Sequence, residues 1–141
     1  MKAIANRLIV FAVSAIAFGT VAFGQTRMTA EIPFAFHTVR GTLPAGTYEV
    51  SDVSLAGVPH LVVLRNKASQ QTAVAGNATF NAYRKADGKS SLVFSCVEHN
   101  CALTAIRTSG YSLEYRAPRI SRNEEGKMAV ISIPMKQVNA D

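Results

Sequence analysis

The stretch that most constrains the fold is residues 29–53, TAEIPFAFHTVRGTLPAGTYEVSDV. Ile32, Phe34 and Phe36 alternate there with proline, alanine and histidine, which is the period-2 pattern of a β-strand with one buried face. The pattern resumes at Tyr48 after Leu-Pro-Ala-Gly, a turn sequence in which proline sets φ and glycine can supply a positive φ. We therefore predict two strands joined by this turn, a founding hairpin for the rest of the domain.

The start of the chain has the layout of a secretory signal peptide. Lys2 and Arg7 supply positive charge, and an uncharged apolar run follows them. Ala-Phe-Gly then places small residues at the third and first positions before Gln25, as in an A-x-A-like cleavage site. We predict a signal peptide over residues 1–24 and a single secreted β-domain over residues 25–141, in the periplasm or the medium. A retained membrane anchor is the alternative, because the apolar run is close to the roughly 17–25 residues that span a bilayer.

The composition bounds the class of partner. The chain has 15 basic and 9 acidic residues, and without the two basic residues of the leader the net charge is +4. The basic residues are scattered and often adjoin acids, which is typical of a solvated surface and not of a nucleic-acid interface. After cleavage the chain is long enough for one domain with a core. We expect no nucleic-acid partner and no transmembrane segment in the mature protein.

Short apolar runs separated by turn residues continue to the end of the chain. Further strands are predicted at residues 60–65, 71–75, 78–83, 91–96, 101–107, 111–115 and 128–135. Asp87-Gly88 is the clearest hairpin turn, and Pro134 assigns its strand to a sheet edge because proline cannot donate to the ladder. Strands at roughly 8–12-residue spacing favour an all-β fold. We predict an antiparallel β-sandwich or a small β-barrel of about seven to nine short strands.

Three segments together resemble a family of small exported β-proteins of soil bacteria: IPFAFHTVRGTLPAGTYEV, HLVVLRN and SLVFSCVEHNCALTAI. The family pairs an I-P-F-x-F strand with L-P-A-G-x-Y-x-V and later carries an L-V-F hairpin. The resemblance covers most of residues 30–107 and implies export and an all-β fold, but no activity and no site. The chain departs from the family pattern where Cys96 and Cys101 flank a turn, because relatives usually have glycine and aromatic residues there.

The segment from Cys96 to Cys101, Cys-Val-Glu-His-Asn-Cys, concentrates the reactive side chains of the sequence. Cysteines that flank a four-residue connection face each other across a hairpin, and exported proteins meet oxidising conditions, so we predict a structural disulfide. In one alternative Cys96, His99 and Cys101 bind zinc or copper, with Glu98 as a further ligand, because thiolates and imidazole suit these metals. In another the cysteines form a redox pair, although the two-residue spacing of thiol–disulfide enzymes is absent.

The remaining polar residues form no catalytic constellation. His37 and His60 lie at the end and the start of predicted strands and have no assigned partner, and no G-x-S-x-G elbow is present. Arg116, Arg119 and Arg122 recur every three residues in a polar loop. These arginines are a candidate contact for an anionic partner such as a phospholipid headgroup or an acidic polysaccharide.

We therefore expect a non-enzymatic, cofactor-free module of the cell envelope. It would bind an envelope protein, polysaccharide or lipid through its loops or an exposed sheet edge. The alternative is a carrier that holds a small apolar ligand inside the sandwich or barrel, suggested by the apolar run at 60–65 and by Phe34, Phe36, Phe80 and Phe94. A metal or redox site at the cysteine segment is the second alternative.

Overall fold

The computed structural model describes residues 27–55, 58–82, 89–116 and 127–139, and in these ranges the chain is all β with no α-helix. The described strands are β1 (Arg27–Ile32), β2 (Phe36–Thr38), β3 (Gly41–Leu43), β4 (Gly46–Leu55), β5 (Val58–Asn66), β6 (Thr72–Val74), β7 (Thr79–Ala82), β8 (Ser91–Val97), β9 (Asn100–Arg107), β10 (Tyr111–Glu114), β11 (Met128–Pro134) and β12 (Lys136–Gln137). The all-β prediction is confirmed. More strands are present than the seven to nine expected, because strands of two or three residues leave no clear pattern in the sequence.

The signal peptide predicted at 1–24 and the Asp-Gly turn at 87–88 lie outside the described residues, as do Arg119 and Arg122 of the predicted arginine loop. Within the described ranges, no helix has the length and apolar character needed to cross a membrane.

The strands form two sheets. The first has five strands in the order β12-β1-β4-β5-β6, and every neighbouring pair is antiparallel. The second has seven strands, with the path β11-β8-β9-β10-β7 and the β2–β3 hairpin beside β9. β2 runs parallel to β9 at one end of that strand, and β10 pairs with its other end. The second sheet is therefore mixed, whereas the sequence predicted only antiparallel pairing.

Residues 29–53 form the predicted antiparallel pair, but with an excursion between its strands. β1 and β4 pair along six successive positions. Between them the chain crosses to the second sheet, forms β2 and β3, and returns. Ile32 and Phe36 are buried and Phe34 is half-buried, whereas the three residues that alternate with them are exposed. The predicted alternation is right, although it continues across two sheets.

An aromatic core joins the sheets. The ring centroid of Phe36 lies 5.4 Å from that of Tyr48 and 5.2 Å from that of Phe94, both edge to face. Phe34 packs against Phe94 in the same geometry at 5.2 Å. Because Tyr48 belongs to the first sheet and Phe36 and Phe94 to the second, these contacts stabilise the sandwich, at about 0.5–1.5 kcal/mol a pair beyond area burial.

The Leu-Pro-Ala-Gly-Thr-Tyr motif has a structural role in this core. Tyr48 is fully buried, and its hydroxyl donates to the carbonyl oxygen of Pro44 at 2.6 Å, four residues earlier. This arrangement corresponds to the tyrosine corner of β-sandwich proteins. Gly46 has a φ of 156°, and a Cβ there would lie 3.0 Å from Asn66 Nδ2. The motif thus shapes the path of the chain from the second sheet back to the first.

The less regular parts of the sequence also fold as predicted. β6 and β7 lie where two strands were expected between residues 71 and 83, and β10 lies within 111–115. β11, which ends at Pro134, is an edge strand of the second sheet. The missing proline N–H explains that position, because an edge strand has one side on which no ladder bond is needed.

Candidate functional site

One end of the space between the sheets contains a carboxylate. Tyr48, Val50 and Asp52 occupy every second position of β4, so their side chains share the inner face of the sheet. Tyr48 and Val50 are buried, and the Asp52 side chain is 22% exposed. Asp52 therefore lies where the core meets solvent. Carboxylates are rarely buried to this extent without partners, and Asp52 has two.

The first partner is Tyr111, at the start of β10 in the opposite sheet. Its hydroxyl donates to Asp52 Oδ2. A tight turn holds Tyr111 in place: the Thr108 N–H donates to the Tyr111 carbonyl at 2.9 Å, and the Thr108 hydroxyl accepts from the Tyr111 N–H at 3.2 Å. Burial, and then the hydrogen bond to Asp52, raise the pKa of the Tyr111 phenol well above its usual value. Tyr111 therefore remains a hydrogen-bond donor at neutral pH.

The second partner is His60, which reaches Asp52 from a bulge in β5. Near the end of the β4–β5 hairpin, β5 contributes one residue more than β4 between two successive strand pairs. His60 lies in this bulge with a φ of 58°, a left-handed conformation that is uncommon for any residue other than glycine. Its Nδ1 lies 3.2 Å from Asp52 Oδ2. Bulges redirect side chains, and backbone strain of this kind concentrates at functional sites.

Two aromatic rings pack on the imidazole. Phe80 of β7 stacks on His60 with a centroid distance of 4.6 Å and an interplanar angle of 8°, and the Tyr111 ring lies 4.6 Å from it at 42°. Phe80 is 47% exposed. Phe80 therefore covers His60 and Tyr111 at the surface. The other three phenylalanines selected from the sequence, Phe34, Phe36 and Phe94, pack in or against the core. We refer to Asp52, His60, Phe80 and Tyr111 as the Asp52 cluster; each sheet contributes two of its members.

A cleft of about 320 Å³ opens beside the Asp52 cluster, and we call it the inter-sheet cleft. Its walls come from both sheets and from Met135, where the chain passes from β11 in the second sheet to β12 in the first. The lining residues are Met28, Val50, Asp52, Val62, Ile106, Thr108, Ser109, Gly110, Tyr111 and Met135. Three other clefts among the described residues are larger, at about 360–380 Å³, so volume does not distinguish it. The partly buried Asp52 carboxylate and its partner Tyr111, which lie among mostly apolar walls, do distinguish it.

The site keeps unused hydrogen-bonding capacity. Among the described residues, three buried side-chain polar atoms have no hydrogen-bond partner: Asp52 Oδ1 at the cleft, and Tyr115 Oη and Ser112 Oγ outside its lining. Burial, and then the charge of Asp52, raise the pKa of Tyr115. A buried polar atom without a partner costs about 1–3 kcal/mol, and more when the atom is charged. A donor that reached Asp52 Oδ1 would therefore stabilise the site.

Similarity to known proteins assigns no function to this site. No protein family, curated protein or solved structure matches the chain. The resemblance to exported β-proteins of soil bacteria stays a prediction, and function is inferred from the geometry of the Asp52 cluster and the inter-sheet cleft.

The predicted disulfide is present elsewhere in the fold. Cys96 and Cys101 lie directly opposite each other on β8 and β9, and their sulfurs are bonded. In this state neither cysteine is a thiolate ligand, and His99 is exposed in the connecting turn. In the ranges that the structure describes, no three His, Cys, Asp or Glu side chains gather as a metal site. The disulfide and the inter-sheet cleft lie toward opposite ends of β9.

Of the other residues selected from the sequence, His37 and Arg116 line one small cleft of about 200 Å³ beside β2 and the end of β10. Arg116 is exposed just after β10, whereas Arg119 and Arg122 lie outside the described residues. His37 is exposed, and its Nδ1 lies 2.8 Å from the Thr42 hydroxyl within the β2–β3 hairpin. That hydrogen bond is local to the hairpin.

Two of the four residues in the Asp52 cluster, Asp52 and Tyr111, were not predicted from the sequence. A signal for Asp52 exists, because it continues the inward phase of Tyr48 and Val50, and an acid on a buried strand face needs a partner. Tyr111 gives no such signal. Its contact with Asp52 depends on how the two sheets stack, and His60 likewise finds its partner through the bulge.

Proposed function

We propose that this chain is a non-enzymatic binding module of the cell envelope that holds a small molecule in the inter-sheet cleft. One observation carries the proposal: the Asp52 carboxylate and the Tyr111 hydroxyl converge on a concave space between the sheets whose other walls are mostly apolar. Small-molecule sites typically combine an apolar concavity with a few polar groups that orient the ligand.

The walls fit a compact, largely apolar ligand. Met28, Val50 and Val62 line the cleft from the first sheet, with Ile106 opposite and Met135 at the crossing. A volume of about 320 Å³ is at the lower end of the roughly 300–1,000 Å³ of known ligand sites, which corresponds to one small molecule. Methionine side chains are flexible and adapt to irregular ligand shapes.

The contacts of the Asp52 cluster support binding over turnover. His60 and Tyr111 both direct their polar atoms at Asp52 Oδ2, and the imidazole packs against the rings of Phe80 and Tyr111. A general base must reach the proton that it abstracts. His60 does not line the inter-sheet cleft, and its Nδ1 contacts Asp52 on the neighbouring strand.

The disulfide is compatible with an oxidising compartment. This supports the further proposal that the module acts in the periplasm or the medium once residues 1–24 have been removed.

Methionine methyl groups provide the test. The chain after residue 24 contains three methionines: Met28 and Met135 line the cleft, whereas Met128 is 43% exposed on β11. Protein labelled with ¹³C in these methyl groups is exported, purified from the periplasm and studied by native mass spectrometry and NMR. We expect a small molecule at about one per chain that denaturation releases. Its removal should shift the signals of Met28 and Met135 but not that of Met128.

A matched pair of variants locates the ligand. Gly110 lines the cleft, and a Cβ there meets no atom within 4 Å, so Gly110→Phe adds a ring to the cleft at little cost to the fold. Asn77→Phe adds the same ring in an exposed loop. We expect only Gly110→Phe to lose the ligand. If the protein carries no small molecule and the Met28 and Met135 signals respond to no probe in a panel of small aryl-alkyl compounds, the proposal is wrong.

The edge strand β11 favours a second candidate function, the binding of an envelope protein. Among the described strands β11 pairs only with β8, and Val130 on it is 65% exposed. An edge of this kind can accept an added strand. Crosslinking from residue 130 in the periplasm tests this candidate: a specific partner that Val130→Lys abolishes would support it, and only non-specific products would exclude it.

A further inference from the structure

We infer that the ligand of the inter-sheet cleft carries a protonated amine, which binds at Asp52. The inference rests on the proposed function, since it assumes that the cleft binds a small molecule. Its basis is the charge of the walls. Asp52 is the only Asp, Glu, Lys or Arg among the described residues that line the cleft.

The local charge opposes the charge of the whole chain. The protein has an excess of basic residues, yet no lysine or arginine contributes to the described walls of the cleft. A cation that enters this space meets a carboxylate in partly apolar surroundings, where the attraction is stronger than in water. A carboxylate ligand would meet repulsion of the same origin. The cleft therefore discriminates between ligands by the sign of their charge.

Both hydrogen-bond partners of Asp52 use the same carboxylate oxygen. Tyr111 and His60, the titratable side chains that contact the carboxylate, both approach Oδ2. Oδ1 is buried and has no donor among the described residues. A primary ammonium group presents three donors, and hydrogen bonds between ionised groups are about twice as strong as neutral ones. Oδ1 is closed to solvent in this conformation, so the carboxylate must turn slightly toward the cleft for an ammonium group to complete its hydrogen bonds.

The surroundings of Asp52 fit the rest of such a ligand. Tyr111 lines the cleft beside the carboxylate, and aromatic rings attract cations at their faces. The thioethers of Met28 and Met135 and the aliphatic walls suit a short hydrocarbon or aromatic body. The ligand class is therefore a small amine with an apolar body.

Three probes of nearly equal shape test the inference: 2-phenylethylamine, 2-phenylethanol and phenylacetate. Each is titrated into ligand-free protein carrying ¹³C-methyl methionine, and affinity is read from the Met28 and Met135 signals, with Met128 as the internal control. We expect the amine to bind about tenfold or more tightly than the alcohol, as a hydrogen bond to a charged group implies. Phenylacetate should bind more weakly than both.

Asp52→Asn should remove the preference for the amine while the alcohol still binds, because the substitution removes the charge and keeps the shape. The ranking of the three probes on the unmodified protein decides the question even if this variant does not fold. Vesicles of phosphatidylethanolamine, compared with vesicles of phosphatidylglycerol, form a second arm. If only the phosphatidylethanolamine vesicles shift the Met28 and Met135 signals, the amine that binds at Asp52 comes from a lipid headgroup.

The failures are distinguishable. If the alcohol binds as tightly as the amine, or phenylacetate binds best, the amine inference is overturned while ligand binding stands. If none of the three probes and no vesicle shifts the Met28 and Met135 signals, and the purified protein carries no ligand, the proposed function itself is overturned.

Discussion

Tyr111 in the second sheet donates a hydrogen bond to Asp52 in the first, and the two residues are 59 positions apart in the chain. The contact fastens one end of the sandwich, beside the inter-sheet cleft. At the other end of the core the rings of Phe36 and Tyr48 join the same two sheets through apolar contact. The hydrogen bond between Tyr111 and Asp52 therefore borders the cleft, and a single substitution can remove it.

Comparing Tyr111→Phe with Tyr115→Phe separates the effect of losing the hydrogen bond to Asp52 from the effect of removing a phenol hydroxyl in general. We expect Tyr111→Phe to lower the free energy of unfolding by about 1–3 kcal/mol, since the lost bond has a charged acceptor. Tyr115→Phe removes a buried hydroxyl that has no partner among the described residues, so it should be neutral or stabilising. Urea denaturation measures both. Equal losses in the two variants would contradict the assigned role of Tyr111.

Stability should fall at alkaline pH because of these same tyrosines. The pKa values of Tyr111 and Tyr115 are both raised in the folded state, chiefly by burial. Their contribution to stability is therefore complete below the unfolded pKa of about 10 and is lost as the pH rises toward the folded values. We expect the free energy of unfolding to decline above about pH 10, and to decline less steeply in Tyr111→Phe. Absorbance at 295 nm should show tyrosines that ionise only on unfolding, and complete ionisation in the folded protein near pH 10 would refute this.

The tyrosine corner should be measurable at Tyr48. Its hydroxyl donates to Pro44 from a fully buried position, so Tyr48→Phe leaves the carbonyl without this donor. We expect a loss of about 1 kcal/mol in the free energy of unfolding, with the fold and the cleft retained. Tyr115→Phe is again the matched control. An unchanged stability of Tyr48→Phe would show that the hydroxyl does not contribute to the corner.

The Cys96–Cys101 disulfide closes a short loop, so its stabilising effect should be modest. Replacing both cysteines by alanine should cost about 2 kcal/mol on the chain-entropy estimate. Ligand binding should persist, because the disulfide lies toward the opposite end of β9 from the cleft. Thiol titration of the denatured, unreduced protein should detect no free thiol. Two free thiols in exported protein would show that the pair is not oxidised in its own compartment.

Local patterns predicted much of this fold. The positions of β6, β7 and β10 followed from short runs between turn residues, and the burial of Ile32 and Phe36 followed from the period of a strand. The pairing of Cys96 with Cys101 was also predictable, because five positions and one turn determine it. In each case the interacting residues are close in the chain, so the sequence carries the necessary information.

The sequence by itself thus determined the positions of most of the longer strands, the alternation of residues 32–37 and the disulfide, whereas only the tertiary structure decided which sheet each strand joins. Phe36 continues the alternation of β1 yet belongs to the second sheet, where it pairs with Cys101 in parallel. The same holds for the Asp52 cluster: no local pattern relates Asp52 to Tyr111, since their contact exists only after β4 and β10 pack face to face. Side-chain period depends on neighbours along the chain, but sheet stacking depends on the complementarity of distant surfaces.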